Sequence, residues 1–132
     1  MWLPLTTLFH FGPLWIPHEC FQSSLDPYPK IVVAATIASF VWHLTGEKVT
    51  VLTALDYTFA SLWCICDVLY AYAFHDGETI IQVLYLNLVI ATIHRAYESM
   101  KTDRECYVYN HSLWHLLSAT KCLAVAFLLR CR

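Results

Sequence analysis

The sequence predicts an all-α, polytopic membrane protein with about four transmembrane helices, folded as a single domain over residues 1–132. Hydrophobic residues make up 58% of the chain and charged residues only 14%, whereas soluble domains average about 25% charged residues. The mean hydropathy is +0.51. Four apolar segments, joined by short polar connections, each approach the length that spans about 30 Å of hydrocarbon.

The first 27 residues differ from the rest of the chain. The stretch 1–16 is apolar, but Pro4 and Pro13 lie within it and Pro17 follows it, and proline interrupts a helix because it lacks the backbone donor. The stretch also lacks the basic start of a signal peptide. We therefore predict that residues 1–27 form an interfacial segment or a degraded first helix, ahead of a helical bundle over residues 28–129.

Apolar periodicity and segment length place the four helices of this bundle. We predict helices over residues 28–44, 49–74, 79–94 and 107–129. The first and third are short for a bilayer, so they require a thinned membrane or side chains that snorkel to its surface.

Composition and charge limit the partners. The net charge is −2, from eight basic and ten acidic residues, so nucleic acid is excluded as a partner because no basic patch can neutralise phosphates. The six cysteines lack the spacing of a disulfide framework. Aromatic residues form 15% of the chain and suit anchoring at the membrane interface, which makes membrane lipids the expected surroundings.

Two histidines in the last predicted helix are spaced for metal binding. His111 and His115 are four residues apart, so they project from one face of a helix, where two neutral imidazoles can bind one divalent metal. Ser39 and His43 have the same spacing near the end of the first helix. Asp56 lies inside the second helix, where an ionisable side chain is costly and is therefore a candidate for function.

These five residues fall on one side of the membrane if each helix crosses it once. With a rise of about 1.5 Å per residue, they also share one layer, within about 12 Å of the helix ends. Three imidazoles at one depth can bind zinc and leave its fourth position open for a water. The predicted zinc ligands are His43, His111 and His115. Asp56 would orient or deprotonate the water, and Ser39 would donate a hydrogen bond to the water or to an oxyanion.

At these residues the chain resembles the CREST superfamily of seven-helix membrane hydrolases, which includes alkaline ceramidases and adiponectin and progestin receptor-like proteins. The family pattern matches Ser39-Phe40-Val41-Trp42-His43, Asp56 and His111-Ser112-Leu113-Trp114-His115. The last of these segments is most similar to the branch that contains myomaker and the GPI-anchor-directed phospholipase. The resemblance covers residues 28–129 and implies a zinc-dependent lipid amidase or esterase.

The chain is shorter than that family by two helices, which would lie between residue 94 and His111. The family uses this part of the bundle to enclose a lipid chain. The alternative function is therefore a non-catalytic accessory subunit of a larger membrane complex, in which the zinc centre is architectural. Other membrane protein subunits, or self-association, would then supply the missing wall.

Two further charges are predicted to pair within the membrane. Asp67 lies eleven residues beyond Asp56, on the same helix face, and Lys121 in the last helix lies at a similar depth. Because an unpaired charge at that depth is costly, we expect a structural ion pair between Asp67 and Lys121.

A third alternative, a b-type haem protein, follows from the histidine content. His94 would join His43, His111 and His115 as a candidate ligand. Axial ligation needs histidines on facing helices at matched depth, whereas His111 and His115 share one helix, so this is the weakest of the three functions.

The expected location is an integral, multi-pass position in the mitochondrial inner membrane or an endomembrane. Four basic residues lie on the side of the predicted zinc centre and three on the opposite side. The positive-inside rule therefore favours a zinc centre on the cytoplasmic or matrix side.

Overall fold

A computed structural model describes residues 3–15, 27–74, 77–98 and 102–128. These residues form five α-helices and one 3₁₀ segment. The elements are α1 (Leu3–Thr6), the 3₁₀ segment (Thr7–Trp15), α2 (Pro27–Leu44), α3 (Thr50–Phe74), α4 (Gly77–Glu98) and α5 (Arg104–Leu128). Because the described residues contain no strand, the all-α prediction is confirmed.

Helix α2 ends in a turn that matters for the site. The Gly46 N–H donates to the His43 carbonyl at 3.1 Å, and the Glu47 N–H donates to the Trp42 carbonyl at 3.2 Å. This is the Schellman pattern, in which glycine adopts a left-handed conformation just past the helix. Gly46 has a φ of 69° and Glu47 a φ of 64°. The chain therefore folds back, and the Glu47 side chain lies beside the last turn of α2.

Helix α5 begins at a capping aspartate. The Asp103 carboxylate accepts a hydrogen bond from the Cys106 N–H at 3.1 Å, which satisfies a donor that has no partner inside the helix. Helix α4 continues to Glu98, and α5 starts at Arg104. Both helices are thus longer than the predicted 79–94 and 107–129, because polar residues predicted as a connection extend the helices into the surface region.

The N-terminal segment packs against the bundle, where it contacts α2 and α5. The 3₁₀ stretch of nine residues is unusually long, and it contains Pro13, which lacks the backbone donor that either type of helix uses. Thr7 and His10 are buried, while Leu8 and Phe9 are exposed. The segment therefore presents one polar face to the interior of the protein.

The described core is divided between two places. Tyr28, Val32, Ala35 and Trp63 pack together between α2 and α3, and a smaller cluster forms where α3 meets α4. Helices α2 and α3 make the most extensive contact in the molecule. Their packing sets the position of the end of α2 relative to α3 and so places His43 near Asp56.

Two helices in the described ranges are long and apolar enough to cross a membrane, Thr50–Ala73 and Gly77–Arg95. Only 17% and 11% of these two apolar stretches are buried inside the protein. Apolar surface on this scale is uncommon on soluble monomeric proteins. Helices α2 and α5 are not among the candidate spans; α2 includes Lys30 and His43, and α5 carries buried histidines and a buried lysine.

Candidate metal centre

Three histidines meet where the end of α2 packs against α5. His43 is the second-last residue of α2, and His111 and His115 lie one turn apart on α5. Their metal-binding atoms lie within 4.8 Å of one another, and their ring centroids are separated by 4.8, 5.1 and 4.7 Å. At most 6% of any of the three residues is exposed. The structure thus brings together the three predicted ligands as a buried group that can hold a metal ion.

Glu47 fixes the orientation and tautomer of His43. The Glu47 Oε1 atom lies 3.0 Å from His43 Nδ1, and a carboxylate can only accept, so Nδ1 carries the proton and donates. The Nε2 atom, which is the acceptor of the ring in this tautomer of the neutral imidazole, has no hydrogen-bond partner in the described part of the chain. This arrangement of carboxylate, imidazole and free nitrogen is typical of histidines that bind metals.

Glu47 is held in its charged form by its neighbours. Burial raises the pKa of the Glu47 carboxyl, but hydrogen bonds from His43 and Arg104, together with the positive charge of Arg104, outweigh burial and lower the pKa to about 2. The Arg104 guanidinium donates to Glu47 Oε2 at 3.1 Å. Glu47 is therefore a carboxylate at neutral pH, as its role toward His43 requires.

Thr6 performs the same role for His115 from the N-terminal segment. The Thr6 hydroxyl donates its single proton to the Leu3 carbonyl at 2.8 Å, so it can only accept from His115 Nδ1, which lies 2.7 Å away. The His115 Nε2 atom is left without a proton and without a hydrogen-bond partner among the described residues. Two of the three imidazoles are thus oriented with Nε2 available to a metal.

Ser39 and Asp56 lie beside this group. Ser39 is buried one turn before His43, and its hydroxyl hydrogen-bonds the Asp56 carboxylate. Both residues line a cavity of about 40 Å³, which is also lined by His10 and Lys121 but by none of the three histidines. The two predicted catalytic side chains therefore contact each other and share a space large enough for a water molecule.

A larger cleft begins at the same place. It has a volume of about 390 Å³ and lies between α3, α4 and α5, with Asp56 and His111 at its polar end. Ile65, Ile90 and Trp114 contribute to a mostly apolar lining, which also includes Ser61, Asn87 and His94. Because Ile65 is exposed on the outer surface of α3, the cleft opens toward the apolar face of the bundle.

The predicted partners Asp67 and Lys121 meet in the interior. Lys121 Nζ lies 2.5 Å from Asp67 Oδ2, and both side chains are almost completely buried. Tyr28 donates to the other carboxylate oxygen at 2.8 Å, and Lys121 also donates to Asn87 Oδ1 at 3.1 Å. The pair is therefore embedded in hydrogen bonds, which is the condition under which a buried ion pair is tolerated.

Sequence analysis missed Glu47, Thr6 and His10. Glu47 was part of a predicted surface connection, although its spacing of four residues from His43 was a usable signal. Thr6 and His10 belong to the segment predicted as interfacial. A histidine within an apolar segment is itself a signal, but nothing local indicates that this segment packs against α5.

The geometry of the histidines does not suit haem. The rings of His43, His111 and His115 pack edge to face, which leaves no slot for a macrocycle between them. The His94 Nε2 atom lies 3.1 Å from the Tyr57 hydroxyl, and the His94 ring packs against Trp114. The haem alternative is therefore set aside in favour of a single metal ion.

Comparison of the chain with protein-family models, with curated proteins and with solved structures finds no match. The chemistry of the chain must therefore be inferred from the residues of the site.

Proposed function

We propose that this chain is a zinc-binding membrane protein that hydrolyses an acyl bond in a lipid. The observation that carries the proposal is the buried group of His43, His111 and His115, whose metal-binding atoms lie within 4.8 Å of one another, with Asp56 beside it. The donor set favours zinc, since three imidazoles and one open position are typical of catalytic zinc sites.

Each residue of the site has a defined task in this reaction. Bound zinc would supply a Lewis acid and lower the pKa of water. Asp56 accepts a proton from the attacking water, because Asp56 and His111 line the same cleft. Ser39 orients Asp56 by donating its single proton to the carboxylate. Once Asp56 has taken a proton from water, the Ser39 proton is free to be donated to the oxyanion that develops when a carbonyl is attacked.

The apolar cleft supports a lipid as the substrate class. It runs from Asp56 and His111 to the outer surface of α3 and α4, so an apolar chain in the membrane can enter from the side. Such a chain would place its polar linkage at the polar end of the cleft. This use of a mostly apolar cleft with a few convergent polar groups is common among ligand sites.

The proposal includes a multi-pass position in a membrane. In it, α2 and α5 cross beside α3 and α4, with the histidines near the cytoplasmic or matrix surface of an endomembrane or the mitochondrial inner membrane. It also relates the chain to the CREST hydrolases, whose pattern of serine, three histidines and aspartate corresponds to the residues that meet here. Two helices of that family have no counterpart in this bundle.

Zinc content and turnover test the proposal. The purified protein in detergent should contain about one zinc per chain, and His111→Ala combined with His115→Ala should remove it. Asp56→Asn should retain the zinc yet lower the hydrolysis of ceramides or phospholipids by about 10²–10⁴-fold, the scale of a lost general base. Wild-type protein without metal, or with metal that survives the double substitution, would refute the site.

The alternative, a non-catalytic accessory subunit, is favoured by one observation. The cleft is open along the side where Ile65 and the exposed residue Ala91 line it, so its wall is incomplete within this chain. Another membrane subunit, or a second copy of the chain, would complete that wall. Full zinc occupancy without turnover on either lipid class, together with cross-linking through cysteines introduced at these two positions, would support this alternative.

A further inference from the structure

A fourth buried histidine, His10, lies next to the metal centre. Only 4% of it is exposed. Its ring packs edge-on against His115, with centroids 5.3 Å apart, and against Trp63 at the same distance. The 3₁₀ segment that carries it packs against α5 and α2. His10 is thus held firmly between the histidine group and the core.

The only hydrogen-bonding contact of the His10 ring with the described residues is a weak one to the backbone of His115. Neither ring nitrogen makes a hydrogen bond of ordinary geometry to any described residue, and the same is true of the buried hydroxyl of Ser118. A buried polar group without a partner costs about 1–3 kcal/mol, so native proteins rarely leave one unsatisfied. His10 and Ser118 face the same space, since both line the small cavity that Ser39 and Asp56 also line.

The size of this cavity identifies its occupant. A volume of about 40 Å³ admits water, which needs about 10–15 Å³ by the same measure, but is too small for a lipid headgroup. A buried water usually makes about three hydrogen bonds to polar groups that have no other partner. His10 and Ser118 supply such groups around one space. The Asp56 carboxylate, which already accepts from Ser39, lines the same space.

His10 does not belong to the ligand group itself. Among the described residues, the set of nitrogens close enough to hold one metal comprises those of His43, His111 and His115. His10 lies next to these three residues, because its ring packs against the ring of His115. The hydrogen bonds available to His10 are therefore to the contents of the cavity.

We infer that His10 is a positioning residue, which holds a water molecule in the cavity that it shares with Asp56 and Ser118. The inference rests on the proposed function, because that water is the one that Asp56 would activate. A neutral imidazole both donates and accepts, so His10 can fix the orientation of the water without changing its own charge. The N-terminal segment is then part of the site.

Cobalt substitution tests this inference without a turnover assay. Co²⁺ added to metal-free protein in detergent should give visible absorption bands that report the geometry around the ion. His10→Ala should shift these bands and weaken cobalt binding by about 10- to 100-fold, the usual effect of losing a residue that supports a metal site. His10→Asn and His10→Gln place an amide near Nδ1 or Nε2, and one of them should restore the wild-type bands.

The neighbouring residue provides a matched control. Phe9 is 54% exposed on the same segment, so Phe9→Ala should leave the cobalt bands unchanged. Wild-type bands in His10→Ala, or a shift that neither amide variant reverses, would overturn the role of His10 while leaving the metal centre intact. Failure of the wild-type chain to bind cobalt or zinc would instead refute the proposed function. If His10→Ala does not fold, the two amide variants decide the matter by comparison with Phe9→Ala.

Discussion

Two buried polar regions of this protein have opposite characters. Around Asp67 and Lys121 the charges satisfy each other, and Tyr28 and Asn87 complete the hydrogen bonds. Around His43 and His115 one nitrogen of each ring is anchored, while the Nε2 atoms have no partner in the described structure. Burial is costly for any polar group that lacks a partner, and most of all for a charge. The first region is complete by itself, whereas the second has nitrogens arranged for a ligand.

The largest expected effect tests whether the ion-pair region is complete. Asp67→Asn should destabilise the protein by about 3–5 kcal/mol, because it leaves the Lys121 ammonium buried without its counter-charge. Adding Lys121→Met should recover most of that loss. Thermal melts in detergent of the two single variants and the double variant form the required cycle. If the losses of stability in the two single variants add up to the loss in the double variant, Asp67 and Lys121 do not interact, and this region is not self-contained.

A smaller effect should appear in the anchoring of the metal centre. Glu47→Gln keeps an acceptor for His43 but removes the charge, so zinc affinity should fall by about 10- to 100-fold. Competition with a chromogenic zinc chelator measures the zinc affinity of each variant. Arg104→Gln is the control, because its side chain is 61% exposed and a surface ion pair contributes about 0–1 kcal/mol. Equal affinities for the wild type and Glu47→Gln would remove Glu47 from the site.

The smallest effect concerns the turn that positions Glu47. Gly46→Ala should cost about 1–2 kcal/mol, because its φ of 69° is a left-handed conformation that alanine avoids. Crowding adds nothing to this cost, since the nearest side-chain atom would lie 4.0 Å from the new methyl group. Gly77→Ala is the matched control, since Gly77 lies at the start of α4 with open space around it, and it should melt at or above the wild-type temperature. Similar losses of melting temperature in both variants would contradict the special role of the turn.

The parts of this architecture that were predicted correctly depend on local periodicity. Spacing of four residues places His111 and His115 on one face whatever the fold, and depth along a helix follows from counting residues. These rules also indicated that Asp67 and Lys121 would lie at similar levels. They require only that each segment be helical, which strong apolar patterning ensures.

The parts that were missed depend on tertiary packing. No local rule indicates that Thr6 and His10 pack against the opposite end of the chain, because a segment with Pro4 and Pro13 has no clear periodicity. The position of Glu47 depends on two consecutive left-handed residues, and glutamate rarely adopts that conformation. Helix α5 begins earlier than predicted because Asp103 caps it. Apolar periodicity does not detect a capping residue.

The hydrogen bond between Thr6 and His115 joins residues 109 positions apart. Contacts of such long sequence separation form late in folding, because the intervening chain must first be arranged. During synthesis the N-terminal segment can pack against α2, but the bond between Thr6 and His115 must wait until α5 has left the ribosome and joined the bundle. The group of three histidines that could hold a metal is therefore assembled only after α5 has been made, and a product stalled before α5 would leave Thr6 without this partner.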